Sequence, residues 1–212
     1  MKAYHDVEHY RPKASADRRP GSLLTHGYWW LAFTWNNLLF ACPSCNRSGK
    51  NDRFPLDHGS IPIMGEELPP GGEIPLLLDP GSSINPVEHI QFVLKSVGPK
   101  GSPKHWWAQP RNRSRFGHTT IDVCALNCDE LRELRSDYFE TTIAPKVKAL
   151  NEALATAQRE LIQREYDRAL ELFNPRLPNV AFAYDALCSS IPSAKLKYAI
   201  QMRWPLPKQV GL

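Results

Sequence analysis

Between residues 59 and 86 the chain is punctuated by Pro62, Pro69, Pro70, Gly71, Gly72, Pro75, Pro80, Gly81 and Pro86. Proline fixes φ and offers no backbone N–H, and glycine loses the most conformational freedom on ordering. No helix or central strand of ordinary length can therefore run through this stretch. It separates a first part of mixed character from a later part in which helical periodicity takes over. Inside it, Leu76-Leu77-Leu78-Asp79-Pro80 predicts a short buried strand that ends in a turn, and beyond it residues 90–97 predict another short strand.

From Asn127 the pattern becomes helical. Asn127 with Glu130 three residues on matches a capping box, and Leu131, Leu134 and Tyr138 follow at helical spacing. Pro145 ends or kinks that helix. Residues 146–173 predict a second long helix, with Val147, Leu150, Leu154, Ala157 and Leu161 along one face, as core or as a face for a partner. Pro175 and Pro178 stop it, and a shorter helix is expected over residues 181–187. The expected fold class is α+β, with a small module at residues 1–60, a loop-rich extension at 61–125 holding short strands and a basic loop, and a helical region at 126–212.

A chain of 212 residues, 42% hydrophobic and 23% charged, has the composition of a soluble globular protein. No apolar run is long enough for a membrane helix, and no secretory h-region opens the chain. Five cysteines are an odd number for a disulfide framework, and Cys42 and Cys45 stand in C-x-x-C spacing, so a reducing cytoplasmic setting is expected. The net charge is only +4, but Lys95, Lys100, Lys104, Arg111, Arg113 and Arg115 follow one another without an acid, interleaved with Trp106, Trp107 and Phe116. Cations neutralise phosphates and aromatic faces stack on bases, so this segment suits a nucleic-acid contact loop; a solvated loop or protein-binding surface suits it equally.

The residues best suited to chemistry lie near the N-terminus. Glu8 and His9 stand in Val7-Glu8-His9-Tyr10-Arg11-Pro12-Lys13, and Asn37 and Asn46 follow 28 and 37 residues after His9. Phosphodiester hydrolysis needs an activated water and neutralisation of the phosphate and leaving oxygen. A histidine can supply the first, and a Mg²⁺ held by few oxygen ligands the rest. Glu8 offers a hard anionic oxygen and Asn46 a neutral one, while Asn37 is expected to bond loop backbone and so position the histidine. His9, next to Glu8 on a strand, would project to the opposite side unless the backbone bends there. Val87-Glu88-His89 repeats the same three residues without these partners and reads as surface or a helix start. Tyr28, Trp29, Trp30, Phe33 and Trp35 read as core beneath the site, and His26, His58, His105 and His118 as ordinary histidines, with His58 near enough to support the site. Gly98-Pro99-Lys100-Gly101-Ser102 lacks P-loop spacing, so ATP, if used, belongs to another chain.

Glu8-His9-Tyr10-Arg11-Pro12, Asn37-Leu38-Leu39 and Asn46-Arg47-Ser48-Gly49-Lys50 together resemble the HNH, or ββα-metal, endonucleases. Over residues 4–79, with echoes at 120–135, the chain looks most similar to the HNH subunit of Septu anti-phage systems, relatives of which accompany some retrons. The resemblance implies an HNH nuclease module at residues 1–60. It makes His9 the general base, Asn37 the loop-fixing asparagine, Glu8 and Asn46 ligands of Mg²⁺ or Mn²⁺, and Arg47 and Lys50 phosphate contacts. It further implies a nucleic-acid substrate (DNA or transfer RNA), an ABC-type ATPase partner, and retron RNA or DNA reached through such a complex. Relatives carry a further Cys-x-x-Cys upstream that joins Cys42 and Cys45 on a structural Zn²⁺. Here only residues 1–6 precede Val7, without a cysteine, so His5, Cys124, Cys128 or Cys188 would complete four ligands only by a non-standard fold. That departure motivates a second hypothesis, a catalytically decayed nucleic-acid-binding or regulatory subunit.

Overall fold

A computed structural model describes residues 6–18, 25–42, 45–96, 98–100 and 102–210, the side chains of Cys45, Arg47 and Ser48 excepted. The fold is α+β, and the chain divides into two units, Met1–Ile84 with Arg113–Leu126, and Asn85–Asn112 with Asn127–Leu212. Among the described residues no helix is long and apolar enough to cross a membrane.

In the first unit β1 (Asp6–His9) pairs antiparallel with β2 (Leu38–Ala41), in register from Asp6 opposite Ala41 to His9 opposite Leu38. A single helical turn, Cys45–Lys50, follows β2, and α1 (Arg115–Val123) joins from farther along the chain. Arg53 ties these two ends together, donating 2.6 Å bonds to the carbonyls of Gly49 and Val123. Tyr10, Tyr28, Leu31, Phe54, Leu56 and Leu77 form the core, with Phe54 meeting Tyr10 and Tyr28 edge-on at 5.2 and 5.5 Å.

The proline- and glycine-rich stretch is held by side chains where regular structure cannot form. Glu73, its side chain fully buried, accepts from Arg11 Nε at 2.9 Å, Tyr28 Oη at 2.5 Å and Ile63 N at 3.3 Å. Arg18 in turn donates to Tyr28 Oη at 2.9 Å. Burial, then the bond to Glu73, pushes the Tyr28 hydroxyl pKa upward. Gly71 has φ +50°, and a Cβ there would lie 2.4 Å from Ile63 Cγ2, so only glycine serves.

Two expectations for this unit change. Residues 76–78 form no strand; a lone bridge joins Leu56 to Pro75, and Leu77 and Leu78 are buried without a ladder. Pro75 has no N–H to continue one. The aromatic stretch is not all core: Tyr28 is buried, but Trp29, Phe33 and Trp35 are 62%, 97% and 82% exposed. Trp29–Leu31 and Trp35–Asn37 are 3₁₀ turns, whose three residues point in three directions, so Leu31 and Asn37 are buried, Trp30 packs partly against the core, and Trp29 and Trp35 face outward.

In the second unit, the segment expected as a basic loop contains the second arm of a hairpin. β3 (Ile90–Ser96) pairs antiparallel with β4 (Lys104–Pro110). Trp106 enters the core beside Ile143, Leu150, Phe182 and Leu187, and Arg111 pairs with buried Asp185 at 2.5 Å. Burial raises the Asp185 carboxyl pKa even so, with Arg111 opposing the rise. Trp107 lies under the cations of Lys95 and Arg132 at 5.6 and 4.6 Å. Pro86–Glu88, where the second Glu-His pair begins, is a 3₁₀ turn capped by Asn85, which accepts from Val87 N at 3.0 Å.

The helices are α2 (Asp129–Tyr138), α3 (Ala144–Thr156), α4 (Arg159–Leu170), α5 (Val180–Ser190) and α6 (Ser193–Ile200). Asn127 does not cap α2. Its amide pairs with both backbone groups of Ala108 (2.8 and 3.1 Å), and Cys128 takes the N-cap position. A π turn, Phe139–Ile143, precedes Pro145 and absorbs the missing N–H. The single helix expected over residues 146–173 is broken at Ala157, which adopts a left-handed conformation. Thr156 causes the break by competing with the helix: its hydroxyl donates to Ala153 O at 2.7 Å and accepts from Gln158 N at 3.2 Å.

Candidate functional site

Strand alternation places Asp6 and Glu8 on one face of β1 and Val7 and His9 on the other. The turn after β2 is wide, with Asn51 N donating to Asn46 O at 3.0 Å, and it carries Asn46 and Lys50, four residues apart, toward the acidic face. Asn46 Nδ2 lies 3.5 Å from Asp6 Oδ2. Lys50 Nζ donates to Glu8 Oε1 at 2.6 Å, to the His9 carbonyl at 2.9 Å and to the Asn51 carbonyl at 3.5 Å. Lys50, expected to face phosphates, is thus buried against the carboxylate expected to hold metal. Glu8, Asn46, Lys50, Tyr10 and Cys124 line a hollow of about 350 Å³. Burial raises the Cys124 thiol pKa.

β1 ends at His9 and the chain bends at Tyr10 and Arg11, so that Glu8 and His9 also share a second hollow of about 210 Å³, with Lys13, Ser15 and Asp52. His9 Nε2 lies 3.0 Å from the Ala32 carbonyl. A carbonyl only accepts, so Nε2 carries the proton and Nδ1 keeps the lone pair of the neutral ring. Asn37, 3% exposed, holds both sides of this contact. Its Oδ1 accepts from Arg11 N at 2.8 Å, and its Nδ2 donates to the carbonyls of Arg11 (3.1 Å) and Leu31 (3.2 Å). Its own carbonyl accepts from Tyr10 N at 2.9 Å. One side chain thereby fixes the backbone just after His9 and the turn whose next carbonyl holds the imidazole.

Two carboxylates and an amide are hard oxygen donors of the kind Mg²⁺ or Mn²⁺ takes, so the donor set fits such an ion in chemical type. Among the described residues, however, no group of three or more His, Cys, Asp or Glu side chains is placed to hold a metal. Cys42 is exposed, while Pro43, Ser44 and the side chains of Cys45 and Arg47 lie outside the described residues, as does His5. Sequence reasoning passed over Asp6, which the period-2 alternation from Glu8 could have marked. It also passed over the Ala32 carbonyl and Glu73, for which a linear pattern carries no signal.

The chain is 33% identical over 186 residues, 86% of its length, to the Septu protein PtuB of Bacillus mycoides (strain KBAB4). It spans 58% of the length of that relative. No family model and no solved structure matches it.

Proposed function

We propose that this chain is a metal-dependent HNH-type endonuclease that hydrolyses nucleic-acid phosphodiester bonds as the effector of a Septu-like anti-phage complex. The observation that carries the reading is that Glu8 shares one hollow with Asn46, from the Cys45–Lys50 turn, and another with His9, whose tautomer is set by the Ala32 carbonyl. Similarity to a Septu protein supports the placement in a Septu-like system; an ABC-type ATPase as its partner is part of the proposal.

In this mechanism His9 Nδ1 takes the proton of the attacking water, and the Ala32 carbonyl stabilises the imidazolium that results. Asn37 keeps the ring and the bend after β1 in register throughout. Glu8 and Asn46 are the residues that would hold Mg²⁺ or Mn²⁺, which when bound supplies positive charge to the scissile phosphate and the leaving oxygen. The test is cleavage of DNA and RNA pools, transfer RNA included, with Mg²⁺ and with and without the ATPase. His9→Ala should abolish cleavage while leaving the chain folded; full activity in that variant sinks the mechanism.

The Lys50–Glu8 pair favours a second reading, a subunit that binds nucleic acid with its metal site lost. Such a subunit would show salt-dependent binding, no cleavage, and no Mn²⁺ affinity that Glu8→Ala removes.

A further inference from the structure

Lys50 is placed where a cation, not merely a phosphate contact, would sit. Its ammonium has oxygens of Glu8, His9 and Asn51 at 2.6, 2.9 and 3.5 Å. The two side chains of the ion pair are 10% and 15% exposed, so water screens their attraction little. An ammonium and a divalent ion cannot both occupy the same side of one carboxylate, because each repels the other at that range. Beside the pair lies the hollow of about 350 Å³ that Lys50 itself lines with Asn46, Tyr10 and Cys124. A lysine on its flexible four-carbon stem has room to turn into it.

We propose that Lys50 is a built-in counter-cation that competes with the divalent metal for Glu8. It occupies the carboxylate when no divalent ion is bound and leaves it on loading. Lys50 is on this account a positioning residue that sets metal affinity, and the inference rests on the assignment of Glu8 as a ligand made above.

The test is titration of the full-length chain with Mn²⁺, read by the loss of the free-ion electron paramagnetic resonance signal. Lys50→Met removes the charge and keeps the stem. Lys50→Gln removes the charge but keeps donors for Glu8 and the His9 carbonyl, and so serves if the methionine variant does not fold. Either should bind Mn²⁺ about tenfold more tightly or better than wild type, whereas Lys50→Arg should stay close to wild type. Glu8→Gln should remove the binding in every background. Mn²⁺ affinity unchanged or weaker in folded Lys50→Met and Lys50→Gln, with Glu8-dependent binding in wild type, overturns the competition and leaves the nuclease reading standing. Mn²⁺ binding that does not depend on Glu8, or that is missing from all of these chains, overturns both.

Discussion

Asn37→Ala is the sharpest structural perturbation of the candidate site. The side chain makes three hydrogen bonds, all to backbone, with the Arg11 N–H, the Arg11 carbonyl and the Leu31 carbonyl. Arg11 and Leu31 are themselves 8% and 1% exposed, so water does not readily replace the lost partner. The Leu31 carbonyl still accepts from Thr34 N at 3.1 Å, so the Arg11 N–H and carbonyl are the groups left unpaired, at about 1–3 kcal/mol each with the carbonyl at the low end, which puts the loss near 3 kcal/mol in total. For a chain of this size each kcal/mol shifts Tm by about 2–4 °C, so the expected fall is about 6–12 °C. Differential scanning calorimetry reads this directly. Histidine ¹⁵N shifts add a second readout, because a loosened Ala32 carbonyl no longer holds His9 with its proton on Nε2. A Tm within about 1 °C of wild type and an unchanged Nε2–H signal would refute the clamp.

Glu73→Ala should destabilise the first unit by about 3–5 kcal/mol, because Arg11 would keep a buried charge without its partner; urea unfolding monitored at the buried Tyr28 checks it, and a loss under about 1 kcal/mol argues against the network. Ala157→Gly should stabilise the second unit by about 1 kcal/mol, since Ala157 sits at φ +55° where a Cβ is strained. A lower rather than higher Tm in that variant would mean that α3 and α4 are not separated by a left-handed residue.

What was legible in the sequence was chemistry close in chain order. Glu8 and His9 fall on one strand and Asn37 and Asn46 on two turns; Glu8 shares one hollow with Asn46 and another with His9, while Asn37 bonds the backbone just after His9. Asn127 and residues 146–173 show why the rest was hidden. The capping-box signature of Asn127 was overridden by a tertiary partner, Ala108, that no local pattern can announce. The apolar stripe from Val147 to Leu161 was real enough to bury Leu150, yet it gives no sign of the left-handed residue Ala157, beside which the Thr156 hydroxyl bonds Ala153 O and one expected helix becomes two. One member of the basic run was hidden for a related reason. Charge counted along the chain does not reveal that Arg111 has a buried acid waiting for it 74 residues away.

Glu73 returns the matter to the proline- and glycine-rich stretch. A pair of four-residue strands has too short a ladder to be rigid by itself, and two-stranded sheets are marginal in water. The stiffness has to come from outside the sheet. It comes from the irregular stretch, whose Glu73 grips Arg11 two residues after His9 and Tyr28 at the start of the turn that presents Ala32. Asn37 grips the same two places from the other side. The bend that carries His9 is therefore held by two buried polar side chains with no regular element between them. Substitutions in residues 59–84 should for that reason disturb the histidine before they disturb the fold of the second unit, which has its own core built on Trp106 and Phe182.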